Sequence, residues 1–112
     1  MSLRHFVRRP PAVTAQEAPS LIDADALIID VRREQDRRRN HIPGAWHIPP
    51  DQLEQRAVEL PEDRLLITFC TGGLMSSGAA NLLRALGFDA VNKSRGLIDW
   101  RAIGGSLISG TG

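Results

Sequence analysis

Cysteine is nearly absent: the 112 residues contain one, at position 70. An internal disulfide is excluded, and a lone thiol in a chain that shows no signal peptide is expected in the reducing cytoplasm. Excess charge is lacking too. Fourteen basic residues against thirteen acidic leave a net charge of +1, which offers no bulk attraction for nucleic acid. No apolar run approaches the roughly 20 residues that span a bilayer, so no membrane partner is expected. Repeats and low-complexity tracts are missing. What remains is 42% hydrophobic and 24% charged, an ordinary globular balance in a chain long enough for one domain with one core.

The stretch from Leu65 to Gly87, LLITFCTGGLMSSGAANLLRALG, organises the rest. Leu65 to Phe69 form a nearly continuous apolar run, expected of a buried strand. Cys70 stands at the strand's end, and Thr71, Gly72 and Gly73 let the backbone turn sharply. A helix is predicted from about Met75 to Leu86, with Ala79, Leu82, Leu83 and Leu86 on one stripe and Gly87 as its stop. Strand, thiol, glycine turn and helix point successive N–H groups at the sulfur, an arrangement that favours a thiolate and binds an anion. The plain alternative is a free cysteine serving as a small core hydrophobe. Its position at a strand end, where open sheets place their sites, favours the functional reading.

Residues 1–12 read as a basic, extended lead-in (Arg4, Arg8, Arg9, then Pro10-Pro11), residues 13–104 as the domain, and residues 105–112 as a glycine-rich tail frayed at its end. Val13 begins a short strand, and Thr14 with Glu17 forms a capping box. Ala26 to Val31 is a second strong strand, with Asp30 and Arg32 near its carboxyl end. Glu34 to Asn40, carrying Arg37, Arg38 and Arg39, has no apolar face and reads as a short exposed helix. A turn at His41 to Ala45 leads to a brief strand through Ile48. Asp51 is expected to cap a helix reaching about Leu60, with Glu54 completing the pattern. Ala90-Val91 gives a last strand, and Leu97 to Ala102 a last helix with Trp100 inward. Alternating strands and helices define an α/β domain with a mostly parallel sheet.

Asp30-Val31-Arg32, His41-Ile42-Pro43-Gly44-Ala45, the Cys70 loop, Gly87-Phe88 and Gly96 through Trp100 stand in the order that rhodanese-like domains show. The resemblance covers about Val13 to Trp100. It implies a small, mostly parallel sheet flanked by helices on both faces, and a catalytic Cys70 that accepts a sulfane sulfur and passes it on as a persulfide. Thr71, Gly72, Gly73, Leu74, Met75 and Ser76 then form the substrate-binding cradle, and Asp30, Arg32 and Arg95 support it. The partners implied are a small-molecule or protein sulfur donor and acceptor, with no cofactor and an oligomeric state left open. Active members often carry arginine at the loop's sixth position, and sometimes at its second; this chain has Met75 and Thr71. Arg95 replaces the first of two glycines and is a candidate source of the missing charge, the plainer reading being a surface arginine. Asn40 replaces the glycine before His41, and is expected to keep the turn by adopting the left-handed region.

Three function classes follow. A sulfurtransferase or persulfide carrier, thiosulfate being uncertain as donor, comes first. A catalytically weak or inactive rhodanese-like interaction module is the alternative, favoured by the missing arginine and opposed by the retained cysteine and glycines. A phosphatase or arsenate reductase of related fold needs an oxyanion-clamping arginine and a longer loop, and neither is present. His41 and His47, six apart without a third ligand, read as turn and packing residues, so no metal is expected.

Overall fold

Two four-residue runs make the middle of the sheet. Leu27–Asp30 (β2) and Leu66–Phe69 (β4) are buried at every position, as strands are when helices cover both faces. The computed structural model describes residues 9–110; Arg4, His5, Arg8 and the last two residues lie outside them. Ala12–Val13 (β1), Trp46–His47 (β3) and Ala90–Lys93 (β5) complete a five-stranded sheet in the order β1-β5-β4-β2-β3, with every pair parallel. The helices are Ala18–Asp23 (α1), Glu34–Arg39 (α2), Pro50–Arg56 (α3, followed by a single 3-10 turn), Leu74–Ala85 (α4) and Gly96–Ala102 (α5).

Alternate strand residues face opposite sides. Leu27, Ile29, Val31 and Leu66 pack with Leu53 of α3 and with Ala79, Leu82 and Leu83 of α4. Ile28, Ile67 and Phe69 pack with Ala18 of α1 and with Leu97 and Trp100 of α5. The result is a three-layer α/β domain whose active edge is set by the carboxyl ends of β2, β4 and β5. Among the described residues, no helix is long and apolar enough to cross a membrane.

Two local expectations change. Asn40 is extended (φ −165°, ψ 142°) rather than left-handed; its carbonyl and side-chain oxygens accept from the Arg32 guanidinium at 2.6 and 3.2 Å. Asp51 does not cap α3. Pro50 already occupies the helix's first turn, where its missing N–H costs nothing, and no side chain caps that end. The end of the tail, where fraying is expected, lies outside the described residues; before it the backbone is bonded to the domain. Ile108 forms an antiparallel bridge with His41 through N–H···O bonds of 2.8 and 2.9 Å, and Gly110 N–H reaches the Arg38 carbonyl at 2.8 Å. The Thr14–Glu17 capping box forms reciprocally, at 2.9 and 3.2 Å.

Asp30 and Arg32 make a buried bidentate pair at the end of β2. Arg32 Nη2 and Nε donate to the Asp30 carboxylate at 2.8 and 3.0 Å, and the guanidinium lies 5.2 Å from the Phe69 ring centre. With Asn40 closing the other side, the cation is fully satisfied only while Asp30 is present. Asp30→Ala should therefore cost about 3–5 kcal/mol in urea unfolding, because it strands a buried charge. The double variant Asp30→Leu/Arg32→Met should cost much less. Equal losses in the two would contradict this account of the pair.

Candidate functional site

Cys70 follows the last residue of β4 and is almost fully buried. Its backbone is fixed by α5: Leu97 N–H donates to the Cys70 carbonyl at 2.9 Å and Ile98 N–H to that of Thr71 at 3.3 Å. This approach requires glycine at position 96. Gly96 has φ +41°, and a Cβ there would lie 1.7 Å from the Cys70 carbonyl oxygen. Gly73 is left-handed (φ +97°), and a Cβ there would meet the Arg95 backbone nitrogen at 2.8 Å. Two glycines thus let the loop and the α5 turn interlock.

Inside that turn, of the amides of Thr71 through Ser76, those of Gly73 and Ser76 reach Cys70 Sγ, at 3.1 and 3.4 Å. Ser76 Oγ lies 3.2 Å from the same sulfur and 3.3 Å from the Gly73 carbonyl. It has one hydrogen, which goes to the sulfur when the sulfur is a thiolate and is free for the carbonyl when Cys70 itself carries the proton. Ser76 is fully buried. The site can therefore hold a negatively charged sulfur with two backbone donors and one hydroxyl that turns to meet it.

A cavity of about 340 Å³ opens onto Cys70, Thr71 and Gly72. Leu74, Met75, Val31 and Pro50 make its apolar lining, and Arg32, Arg33 and Asp36 its charged one. Met75 is half exposed and Leu74 is 81% exposed, so both stand at the cavity's solvent-facing rim. Arg32 is committed to Asp30 and Asn40. Arg33 Nε donates to Asp36 at 2.9 Å, and this guanidinium holds the Asp36 carboxyl below its ordinary range. The mouth therefore carries one cation and one anion, already matched.

Arg95 does not line the cavity. Its side chain pairs with Asp99 at 3.1 Å on the surface; its left-handed backbone (φ 54°), which sits against Gly73, is what touches the site. His41 and His47 each bond to a backbone carbonyl, His41 Nδ1 to Arg37 at 2.9 Å and His47 Nε2 to Arg32 at 2.6 Å. Sequence reasoning passed over Arg33 and Asp36, whose only signal was their spacing of three across the start of a short helix. It also passed over the polar residues Thr68, Asn92 and Lys93, set in strands that are otherwise apolar.

A family model described as the rhodanese-like domain matches residues 14–103, and the chain belongs to that family. It is similar to YrkF of Bacillus subtilis, named as a sulfur carrier protein, at 34% identity over 88% of this chain and 60% of YrkF. It is also similar to the thiosulfate sulfurtransferase GlpE of Pseudomonas savastanoi pv. phaseolicola, at 31% identity over 89% of this chain and 92% of GlpE. A crystal structure of a rhodanese-related protein from Thermoplasma volcanium has the same fold, with TM-score 0.83, 23% identity, and coverage of 88% of this chain and 97% of the other. The chain spans between 16% and 60% of the length of three curated relatives it matches.

Behind the α5 turn, Lys93 is fully buried and donates to the Gly96 and Ser94 carbonyls at 2.8 and 3.1 Å. Burial pushes its ammonium below the ordinary value of 10.5, and the Asp99 charge offsets this in part. The folded protein thus holds this proton less tightly than the unfolded chain does. Stability should rise with pH through the lowered folded-state pKa and level off near 10.5. Lys93→Met should flatten that rise in urea titrations; an unchanged slope would assign it to another group. Gly96→Ala should cost more than about 2 kcal/mol, from strain and from displacement of the Cys70 carbonyl. Cys70 alkylation rates should change with it, and an unaltered stability would show that the turn adapts.

Proposed function

We propose that this chain is a sulfurtransferase or persulfide carrier of the reducing cytoplasm, with Cys70 as the sulfur-accepting residue. The observation that carries the reading is the convergence of the Gly73 and Ser76 amides and the Ser76 hydroxyl on Cys70 Sγ at the base of an open cavity. The names of the relatives, a sulfur carrier and a thiosulfate sulfurtransferase, support it.

The Cys70 thiolate attacks the outer sulfur of a persulfide donor, R–S–SH. A bond forms between the Cys70 sulfur and that sulfur, the donor's S–S bond breaks, and RS⁻ departs. Cys70 now bears S–SH, which loses its proton to become the persulfide anion. An acceptor thiolate then attacks the outer sulfur, takes it, and returns Cys70 to the thiolate. The three donors serve the Cys70 sulfur when it is an anion, before its attack and again as it leaves as the thiolate. Thr71, Gly72, Leu74 and Met75 bound the donor, whereas Asp30, Arg32 and the Arg95 backbone act by holding the loop in place.

The donor we favour is a persulfide rather than thiosulfate. Met75 supplies no charge, Arg95 is turned to Asp99, and Arg33 is neutralised by Asp36. Among the described residues, a dianion entering this cavity finds no unmatched side-chain cation in its lining.

Met75→Arg should raise thiosulfate turnover roughly ten- to a hundredfold relative to turnover with a low-molecular-weight persulfide, the range of a charge-assisted contact worth about 1.5–3 kcal/mol. Asp36→Asn should raise it several-fold by releasing Arg33. Cys70→Ser is the blank for both. Efficient thiosulfate turnover by the unaltered protein would show that the backbone cradle suffices alone. No sulfur loading from either donor, with the protein folded, would replace the carrier by an interaction module.

A further inference from the structure

Each residue whose N–H reaches the Cys70 sulfur has its own carbonyl tied by a buried strand side chain. Thr68 Oγ1 donates to the Ser76 carbonyl at 2.7 Å, and Asn92 Nδ2 donates to the Gly73 carbonyl at 3.2 Å. Both side chains lie beneath the loop on the α4 face of the sheet, and Thr68 and Asn92 are direct neighbours in the β4–β5 register. Thr68 is fully buried and Asn92 nearly so. A polar pair inside an apolar core is kept only where its hydrogen bonds are made.

The alternatives for these groups are poor. The Thr68 hydroxyl has one hydrogen, and its other neighbours, the Val91 carbonyl and Asn92 Oδ1, are farther off at 3.3 and 3.4 Å. Turning the Asn92 amide over would set Oδ1 against the Gly73 oxygen, two acceptors face to face. Both donors are therefore committed to the loop.

We propose that Thr68 and Asn92 are the positioning residues of the Cys70 cradle. They act through Ser76 and Gly73, and they hold the two amides aimed at the sulfur before any charge develops there. Preorganised donors stabilise an anion without the cost of turning to meet it. The Ser76 amide, already at 3.4 Å, is the contact with least margin, so the Thr68 bond matters most. The consequence for sulfur transfer rests on the function proposed above; the consequence for the thiolate does not.

The test is alkylation of Cys70 by iodoacetamide across pH, without any sulfur donor, alongside sulfur loading from a low-molecular-weight persulfide. Thr68→Val keeps the side chain's shape and removes the hydroxyl; Thr68→Ser keeps the hydroxyl; Asn92→Ala removes the second tie. Thr68→Val and Asn92→Ala should move the alkylation midpoint upward by about half to one pH unit, a three- to tenfold loss of thiolate at a fixed pH below it. Thr68→Ser should restore the original profile, a rescue that a packing role alone would not give. Profiles for Thr68→Val and Asn92→Ala that overlay the unaltered protein would overturn the proposal, as would a Thr68→Ser profile that follows Thr68→Val. If Thr68→Val does not fold, Asn92→Ala decides by the same criterion. A shifted midpoint in a protein that never loads sulfur would sustain the positioning role and reject the sulfur-transfer function instead.

Discussion

The convergence of two backbone amides on one sulfur, from Gly73 at 3.1 Å and Ser76 at 3.4 Å, is the contact on which the rest of this structure depends. An anionic sulfur in a nearly dry site is tolerated only if its donors are already in place. Those amides belong to a tight turn and a helix's first residues, so the turn must be held against both the sheet and the neighbouring loop. The interlock of Gly73 with the Arg95 backbone, and of Gly96 with the Cys70 carbonyl, supplies the lateral contact. Neither position admits a Cβ without moving backbone.

The flank of the site is set by charge. Arg32 gathers the Asp30 carboxylate, the Asn40 carbonyl and side chain, and the face of the Phe69 ring. It thereby joins the end of β2, the turn after α2 and the end of β4, and borders the cavity without an unmatched charge. Arg33 and Asp36 extend the same balance to the mouth. The cavity is consequently lined in large part by apolar side chains, with a rim whose Arg33 and Asp36 charges are already paired.

Much of this was legible in the sequence because its causes are local. A continuous apolar run ending in Cys70, two following glycines and a helical stripe from Ala79 to Leu83 define the strand–turn–helix unit without tertiary help. Long-range features were not legible. Asn40 looked like a replacement for a left-handed glycine, yet Arg32, eight residues earlier, draws it into an extended conformation. Nothing local in the glycine-rich tail signals its pairing with His41 through Ile108. Thr68 stood unremarked inside an apolar run and Asn92 beyond the expected Ala90-Val91 strand, since their partners lie across the sheet and in the segment above. Arg95 stood at the right place in sequence to lend charge, and a carboxylate one helical turn on at Asp99 claims it instead.

Intact-mass measurement of the unaltered protein and of Cys70→Ser, after exposure to a low-molecular-weight persulfide under reducing-agent-free conditions, tests the central claim most directly. The account predicts a gain of one sulfur atom on the unaltered protein, removable by an added thiol, and no gain on Cys70→Ser. An unaltered, folded protein that gains no sulfur, or a Cys70→Ser protein that gains as much, would contradict it.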